Sequence, residues 1–290
     1  TTLFRSIFES IEEWMRNLLT GMVSSNLTNM FTDVNEKTGD IASQVGQTPQ
    51  GWSGSIFSLI QNLSDSVIVP IAGMIITFVL CYELISMLTE KNNMHDIDTW
   101  MFFKYFFKMW VAVYLVTHAF DFSMAVFDVA QSLVNQAAGV INTSAVVSVD
   151  QVAEMVALLA DKGIGELIMI LLETSLVKIS IQAISLIITV VVYGRMFEIY
   201  IYSSVSAIPF ATMGNKEWGQ IGNNYIKGLF ALGLQGLFLI ICLGVYAVLV
   251  KTISITDIHT SIFMVLAYAL LLGLTMLKTG TLSKSILNAH

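Results

Sequence analysis

Residues 67 to 88 read VIVPIAGMIITFVLCYELISML, apolar almost without a break. A helix needs about 20 apolar residues to cross a hydrocarbon layer about 30 Å thick. A helix of a soluble core keeps one polar face, and this run has none. More such stretches follow, so the chain reads as an integral membrane protein with several spans. Composition agrees: 55% of residues are hydrophobic and 12% charged, where soluble domains carry about 25% charged residues. A length of 290 residues allows one bundle and a modest extramembrane segment. The net charge of −7 argues against a nucleic-acid-binding surface, which needs clustered Lys and Arg to displace phosphate counterions. Cys81 and Cys242 both sit inside apolar runs and report nothing about redox compartment.

The N-terminal stretch is two-faced. Leu3, Phe4, Ile7, Phe8, Ile11, Trp14, Met15, Leu18, Leu19 and Met22 recur at steps of three and four, with Arg5, Glu9, Glu12, Glu13 and Arg16 opposite. Interfacial helices are usually basic on the polar face. This one is net acidic, so packing on its own bundle or a partner subunit is favoured over lipid binding alone. Thr1 to Ile11 lack the basic start and apolar stretch of a cleavable signal, and insertion is expected to rely on internal spans. Asn26 to Pro49 is polar and reads as a loop with a short helix. Gly51 to Gly54 makes a turn before a second amphipathic stretch that includes Ile56, Phe57 and Ile60.

Spans are expected at about 67–88, 101–122, 164–194, 226–250 and 262–277. A polar loop covers 90–99, and an acidic extramembrane loop covers 128–162. The third run is too long for a bilayer at 1.5 Å per residue, so its start projects or it tilts. Phe197 to Met213, shorter and broken by Pro209, reads as a re-entrant or interfacial segment. The domain reading is an extracytoplasmic N-terminal segment, 1–65, and a transmembrane bundle, 66–290. With five spans, one side receives Lys91, Lys104, Lys108, Arg195, Lys216, Lys227, Lys278 and Lys284. The other receives Arg5, Arg16, Lys37, Lys162 and Lys251, spread over longer sequence, and Lys178 stays inside. Basic residues near span ends remain cytoplasmic. The N-terminus is therefore expected outside and the C-terminus inside.

Enzyme motifs are nearly absent: no phosphate loop, no HExxH and no Cys/His cluster at metal spacing. No cofactor is implied. Gly51-Trp52-Ser53-Gly54 has the G-x-S-G form found around the nucleophile of rhomboid-type intramembrane proteases, with His118, on a later span, as a candidate general base. Ser53 precedes the first span in a polar context, and an N-cap role for the following helix explains it.

Polar residues inside apolar runs cost a few kcal/mol in lipid, about 2–4 each, unless paired or wet. Glu166 and Glu173 share a face seven residues apart; Lys178, Gln182, Ser185 and Thr189 form a separate stripe. Arg195, Glu198 and Gln235 continue this character beside Gly228, Gly233 and Gly236. Two readings stand for the set: helix-to-helix packing, or a hydrated path for a substrate.

Several blocks are distinctive in wording. They are Thr48-Pro49-Gln50-Gly51-Trp52 leading into the first span; Thr99-Trp100 with FFKYFFK and VYLVTHAFDF; RMFEIYIYSSVSAIPFAT; Trp218 with NYIKGLFALGLQGLFLIICLG; and MLKTGTLSKSIL. Over about residues 48 to 287 the chain resembles the TrbL-type, VirB-like polytopic membrane protein of conjugative type IV secretion systems, in the version carried by Gram-positive integrative elements. The resemblance implies a multi-pass channel subunit with an outside N-terminus. Its implied partners are a coupling ATPase, a VirB-type ATPase and a scaffold protein, and its transported substrate is single-stranded DNA with a relaxase. The loop at 128–162 is short beside the central loops of some Gram-negative relatives, and its acidity disfavours direct DNA contact.

The chain is thus expected to be all-α: a polytopic transmembrane helical bundle of about five spans, with an N-terminal amphipathic helix and a re-entrant or interfacial segment. It would lie in a bacterial cell membrane, non-catalytic and self-associating as a homo-oligomer in the lipid bilayer. The alternatives are a stand-alone solute transporter or ion channel and, third, a rhomboid-like protease.

Overall fold

A computed structural model describes residues 2–89, 99–142, 149–253 and 257–289. Among them every regular element is helical. In chain order they are α1 (Thr2–Val45), α2 (Pro49–Trp52), α3 (Gly54–Leu63), a π turn (Ser64–Ile68), α4 (Val69–Thr89), α5 (Thr99–Thr117), α6 (Ala119–Asn142), α7 (Val149–Ala157), α8 (Ile164–Ser204), α9 (Ala207–Thr212), α10 (Gly219–Lys251) and α11 (Ile258–Ile286). This is an all-α polytopic fold. Five helical segments are long and apolar enough to cross a membrane: Gly54–Thr89, Ala119–Ile141, Ile164–Ser204, Gly219–Lys251 and Ile258–Ile286. In hydrocarbon no water can bond a free backbone amide, and a helix satisfies its own.

The helices run further than sequence reading placed them. α1 continues to Val45, through residues expected to form a loop. Its apolar stripe thins but does not stop: Leu19, Val23, Leu27, Met30, Ile41 and Val45 are all buried at helical spacing. Ser53 caps α3, its hydroxyl accepting from the Ile56 amide at 3.4 Å. α3 then passes through the π turn into α4, so 67–88 is the C-terminal part of a 36-residue helical run. α5 and α6 join at His118 with helical bonding on both sides: His118 N to Tyr114 O at 3.1 Å and Phe122 N to His118 O at 3.0 Å. Within that run the segment apolar enough to cross is Ala119–Ile141, overlapping the expected 101–122 only at its end.

Residues 128–142, expected as extramembrane loop, belong to α6, and part of the remainder is α7; 143–148 lie outside the described residues, as do 90–98 of the expected polar loop. Phe197 to Ser204, expected in the re-entrant segment, complete α8. Only α9 is separate, six residues with Pro209 in its opening turns. At 1.5 Å per residue it rises about 9 Å, far short of a bilayer.

Two compact units divide the chain: one from 1–45, 136–192 and 239–278, the other from 46–135, 193–238 and 279–290. In the second, α9 lies at the centre of a core. Ala207, Phe210 and Ala211 are buried with Ala72, Ile76 and Leu80 of α4, Ala112 and Val116 of α5, Phe120, Met124 and Phe127 of α6, and Leu229 and Leu232 of α10. α9 packs chiefly on α4 and α5. In the first unit, the buried set includes Val23 and Leu27 of α1, Met155 of α7 and Leu159 in the turn after it, Leu167, Ile170 and Val177 of α8, and Ile262 and Val265 of α11.

If α9 is the wedge of the second unit, truncating its largest buried side chain should cost about 3–5 kcal/mol. Phe210→Ala is expected to lower the melting temperature of detergent-solubilised protein. Leu274→Ala, at a side chain 59% exposed on α11, should leave it nearly unchanged. Equal effects would remove α9 from the core.

Candidate polar sites in the helical bundle

Where a helix stops, side chains have to satisfy the buried backbone groups that helical bonding no longer reaches. The turn between α9 and α10 shows how. Asn215, 4% exposed, accepts at Oδ1 from the amides of Glu217 (2.7 Å) and Trp218 (3.2 Å). Its Nδ2 donates to Glu83 Oε2 of α4 at 2.9 Å. Glu83 Oε1 in turn takes Lys108 Nζ of α5 at 2.6 Å. Tyr82 OH donates to Glu217 Oε2 at 3.2 Å, and the Trp218 ring stacks on Phe78 and on Tyr82 at centroid distances of 5.6 and 5.3 Å. An acid of one helix, a base of the next and a turn amide are thus closed into one neutral clamp. Sequence reading missed it: Lys108 was counted for topology, and neither Glu83 nor Asn215 stood out.

A second junction joins two of the distinctive sequence blocks. Thr48 Oγ1 accepts from the Gly51 amide at 3.1 Å and starts α2. Tyr200 OH of α8 donates to the Pro49 carbonyl at 2.6 Å. The Trp52 ring lies 5.5 Å from that of Tyr193 and 6.0 Å from that of Tyr200. Further along, Tyr225 OH donates to the Tyr202 carbonyl at 2.8 Å, and the two rings stack at 5.2 Å.

Arg195 is 3% exposed on α8. Its Nε donates to the Leu232 carbonyl of α10 at 3.2 Å. Its guanidinium packs against Gly236, where a Cβ would stand 2.6 Å from Nη2 and 2.8 Å from Cζ. A side chain there would have to displace the buried guanidinium. Among the described residues no carboxylate pairs with it; Glu198, one turn on, is exposed. Gln235 turns toward Gly280 of α11, with Nε2 3.2 Å from where a Cβ would be. Its Oε1 is buried without a hydrogen bond, as is Nε2 of Gln131. Arg195 and Gln235 therefore serve separate faces of α10.

In the first unit the structure joins Glu166 and Glu173 through a residue that sequence reading left among scattered histidines. His259 of α11 donates from Nδ1 to Glu173 Oε2 at 2.6 Å, and its Nε2 lies 3.9 Å from Glu166 Oε1. Lys162 Nζ donates to the same Glu166 oxygen at 2.5 Å, and this bond holds the Lys162 ammonium pKa above its usual value. No sequence signal pointed to His259, 86 residues from its partner. Asn26 of α1 donates to Ser175 Oγ at 3.2 Å and to Thr174 Oγ1 at 3.4 Å. The stripe behaves differently. Lys178, Ser185 and Thr189 are half-buried and Gln182 is exposed. Thr189 bonds only back to the Ser185 carbonyl, at 2.9 Å, and among the described residues no acid pairs with Lys178.

Ser53 and His118 do not meet. The serine hydroxyl caps α3, while His118 Nδ1 sits 3.0 Å from Thr117 Oγ1 and 3.1 Å from the Tyr114 carbonyl. No nucleophile–base pair forms.

The Arg195–Gly236 fit carries an expectation. Gly236→Ala should displace the guanidinium and destabilise by about 1–3 kcal/mol, the usual cost of overpacking. Adding Arg195→Met, which bends away from the new methyl, should recover most of the loss in detergent melting temperature. Additive losses would show that the two residues do not share the contact.

Residues 34–207 match the model of a family described as TrbL/VirB6 plasmid conjugal transfer like protein. Neither a curated protein nor a solved structure matches the chain. The matched stretch takes in the Thr48–Trp52 block, the FFKYFFK block and most of the block from Arg195; the Trp218 and C-terminal blocks lie beyond it. Since the match covers more than half of a multi-pass helical chain, the chain belongs to the TrbL/VirB6 plasmid conjugal transfer like family.

Proposed function

We propose that this chain is a membrane channel subunit of a conjugative type IV secretion system, helping to pass single-stranded DNA with its relaxase. The observation that carries the reading is the family match over 34–207 on a chain with five helices able to cross a membrane. We read the role as non-catalytic, in keeping with a family named for conjugal transfer. Energy would come from the coupling ATPase and the VirB-type ATPase, with a scaffold protein as further partner.

The Lys178, Gln182, Ser185 and Thr189 stripe supports a path between copies of the subunit. These side chains lie on a membrane-crossing helix and are half-buried or exposed in the single chain. A lysine left facing lipid costs about 2.5–3.5 kcal/mol at mid-membrane, and facing water or a second subunit removes that cost. Arg195, Gln235, Glu166 and Glu173 are assigned to packing within one chain, on the contacts described above; Glu198, exposed one turn from Arg195, is kept with the path. A solute transporter usually carries broken helices in matching halves, and no internal repeat is present in the sequence.

Five crossings, with α5 and α6 counting as one, leave the N-terminus outside and the C-terminus cytoplasmic, in keeping with the basic residues gathered on one side. Reporter fusions active only outside the cell should therefore work at the N-terminus and fail at the C-terminus. The same result at both ends would overturn the layout. Lys178→Glu should reduce DNA transfer to recipients by about tenfold or more, the effect of a cost of roughly 1.4 kcal/mol or more, while membrane abundance stays constant. Unchanged transfer would take the stripe out of the path.

A further inference from the structure

The first five turns of α1 carry an apolar face that none of the described residues covers. Phe4, Ile7, Ile11, Trp14 and Leu18 are between 47% and 72% exposed. From Leu19 on, the buried side chains Val23, Leu27 and Met30 lie on a different stripe. The exposed residues alternate at steps of three and four, the heptad a and d spacing of a left-handed coiled coil. With Phe4 at a, the d positions are Ile7 and Trp14, and Ile11 and Leu18 fall at a. Every charge then lands away from the seam: Arg5 and Glu12 at b, Glu13 at c, Glu9 and Arg16 at f. The e positions are Phe8 and Met15, and the g positions Ser10 and Asn17. The seam ends where the next d position is Gly21.

We infer that this face packs against the same face of further copies of this chain, as a parallel helical bundle of N-terminal segments. The inference rests on the self-association in the reading above and assigns it to a segment. Three observations select a second copy over the other occupants. The flanking e and g positions carry no charge, so identical helices meet without like-charge repulsion, which normally enforces partner choice. An apolar strip that includes e as well as a and d is the width for a multi-helix bundle. The polar face is net acidic, which disfavours the anionic surface of a bilayer. Copies inserted with one topology and related by an axis along the membrane normal run parallel, so each a position meets its counterpart.

The test is oxidative cross-linking in native membranes of full-length protein in a C81S/C242S background. Ile11→Cys, at a, should give at least about tenfold more disulfide-linked dimer than Glu9→Cys, at f, as knobs-into-holes packing requires. Trp14→Glu should shift the mass of the detergent-solubilised particle downward. Equal or absent cross-linking at the two positions overturns the assignment. Quenching of a bimane label on the I11C variant by brominated acyl chains, without cross-links, overturns it in favour of the bilayer. A particle that is oligomeric by mass yet unlinked at position 11 removes this face alone. A monomeric particle removes self-association as well.

Discussion

A peptide group in hydrocarbon finds no water, so a chain crossing lipid must bond every amide within itself. Long helices do this for most of the molecule. At the junctions outside the spans, where helices stop, buried backbone groups depend on side chains instead. At the α9–α10 turn, Asn215 supplies the acceptor that the Glu217 and Trp218 amides lack, and Glu83 with Lys108 holds Asn215 in place. At α2, Tyr200 takes up the Pro49 carbonyl. Breaking one member of such a set leaves a polar group stranded, which costs more than the hydrogen bond itself was worth.

The same solvent explains the packing. Burying apolar side chains gains little against lipid tails, so association depends on close fit and polar contacts. Three glycines of α10 show it: Gly228 admits the Tyr202 ring, Gly233 meets Ala130 and Gly236 receives the Arg195 guanidinium, all at distances a side chain would forbid. Elsewhere the spans keep large apolar residues exposed, Leu172, Ile179, Leu186 and Val190 on α8 among them. Exposed side chains of that kind suit lipid. The exposed Gln182 and the half-buried Lys178 on the same helix do not, and they give the stripe its functional interest.

Much of this was legible in the residues. Run length and missing polar faces pointed to about five spans, although the second apolar segment is Ala119–Ile141 and not 101–122, and Ser53 ahead of an apolar stretch marked an N-cap. The polar positions on α8 stood out because ionisable groups are rare in lipid. What misled was composition: Asn26 to Pro49 looks like loop because its apolar residues are sparse, yet Leu27, Met30, Ile41 and Val45 keep one face buried. Asp128 to Asn142 was grouped with the acids further on, Asp150, Glu154 and Asp161, as extramembrane loop, but α6 continues through it and is apolar enough to cross as far as Ile141.

The sequence by itself determined that the chain is helical, crosses lipid several times and carries polar groups there, because hydropathy and helical period are local properties. Only the tertiary structure decided which polar groups answer one another. His259 reaches Glu173 across 86 residues and Asn215 reaches Glu83 across 132. Such pairings depend on which helices pack side by side, and no short stretch of sequence encodes that.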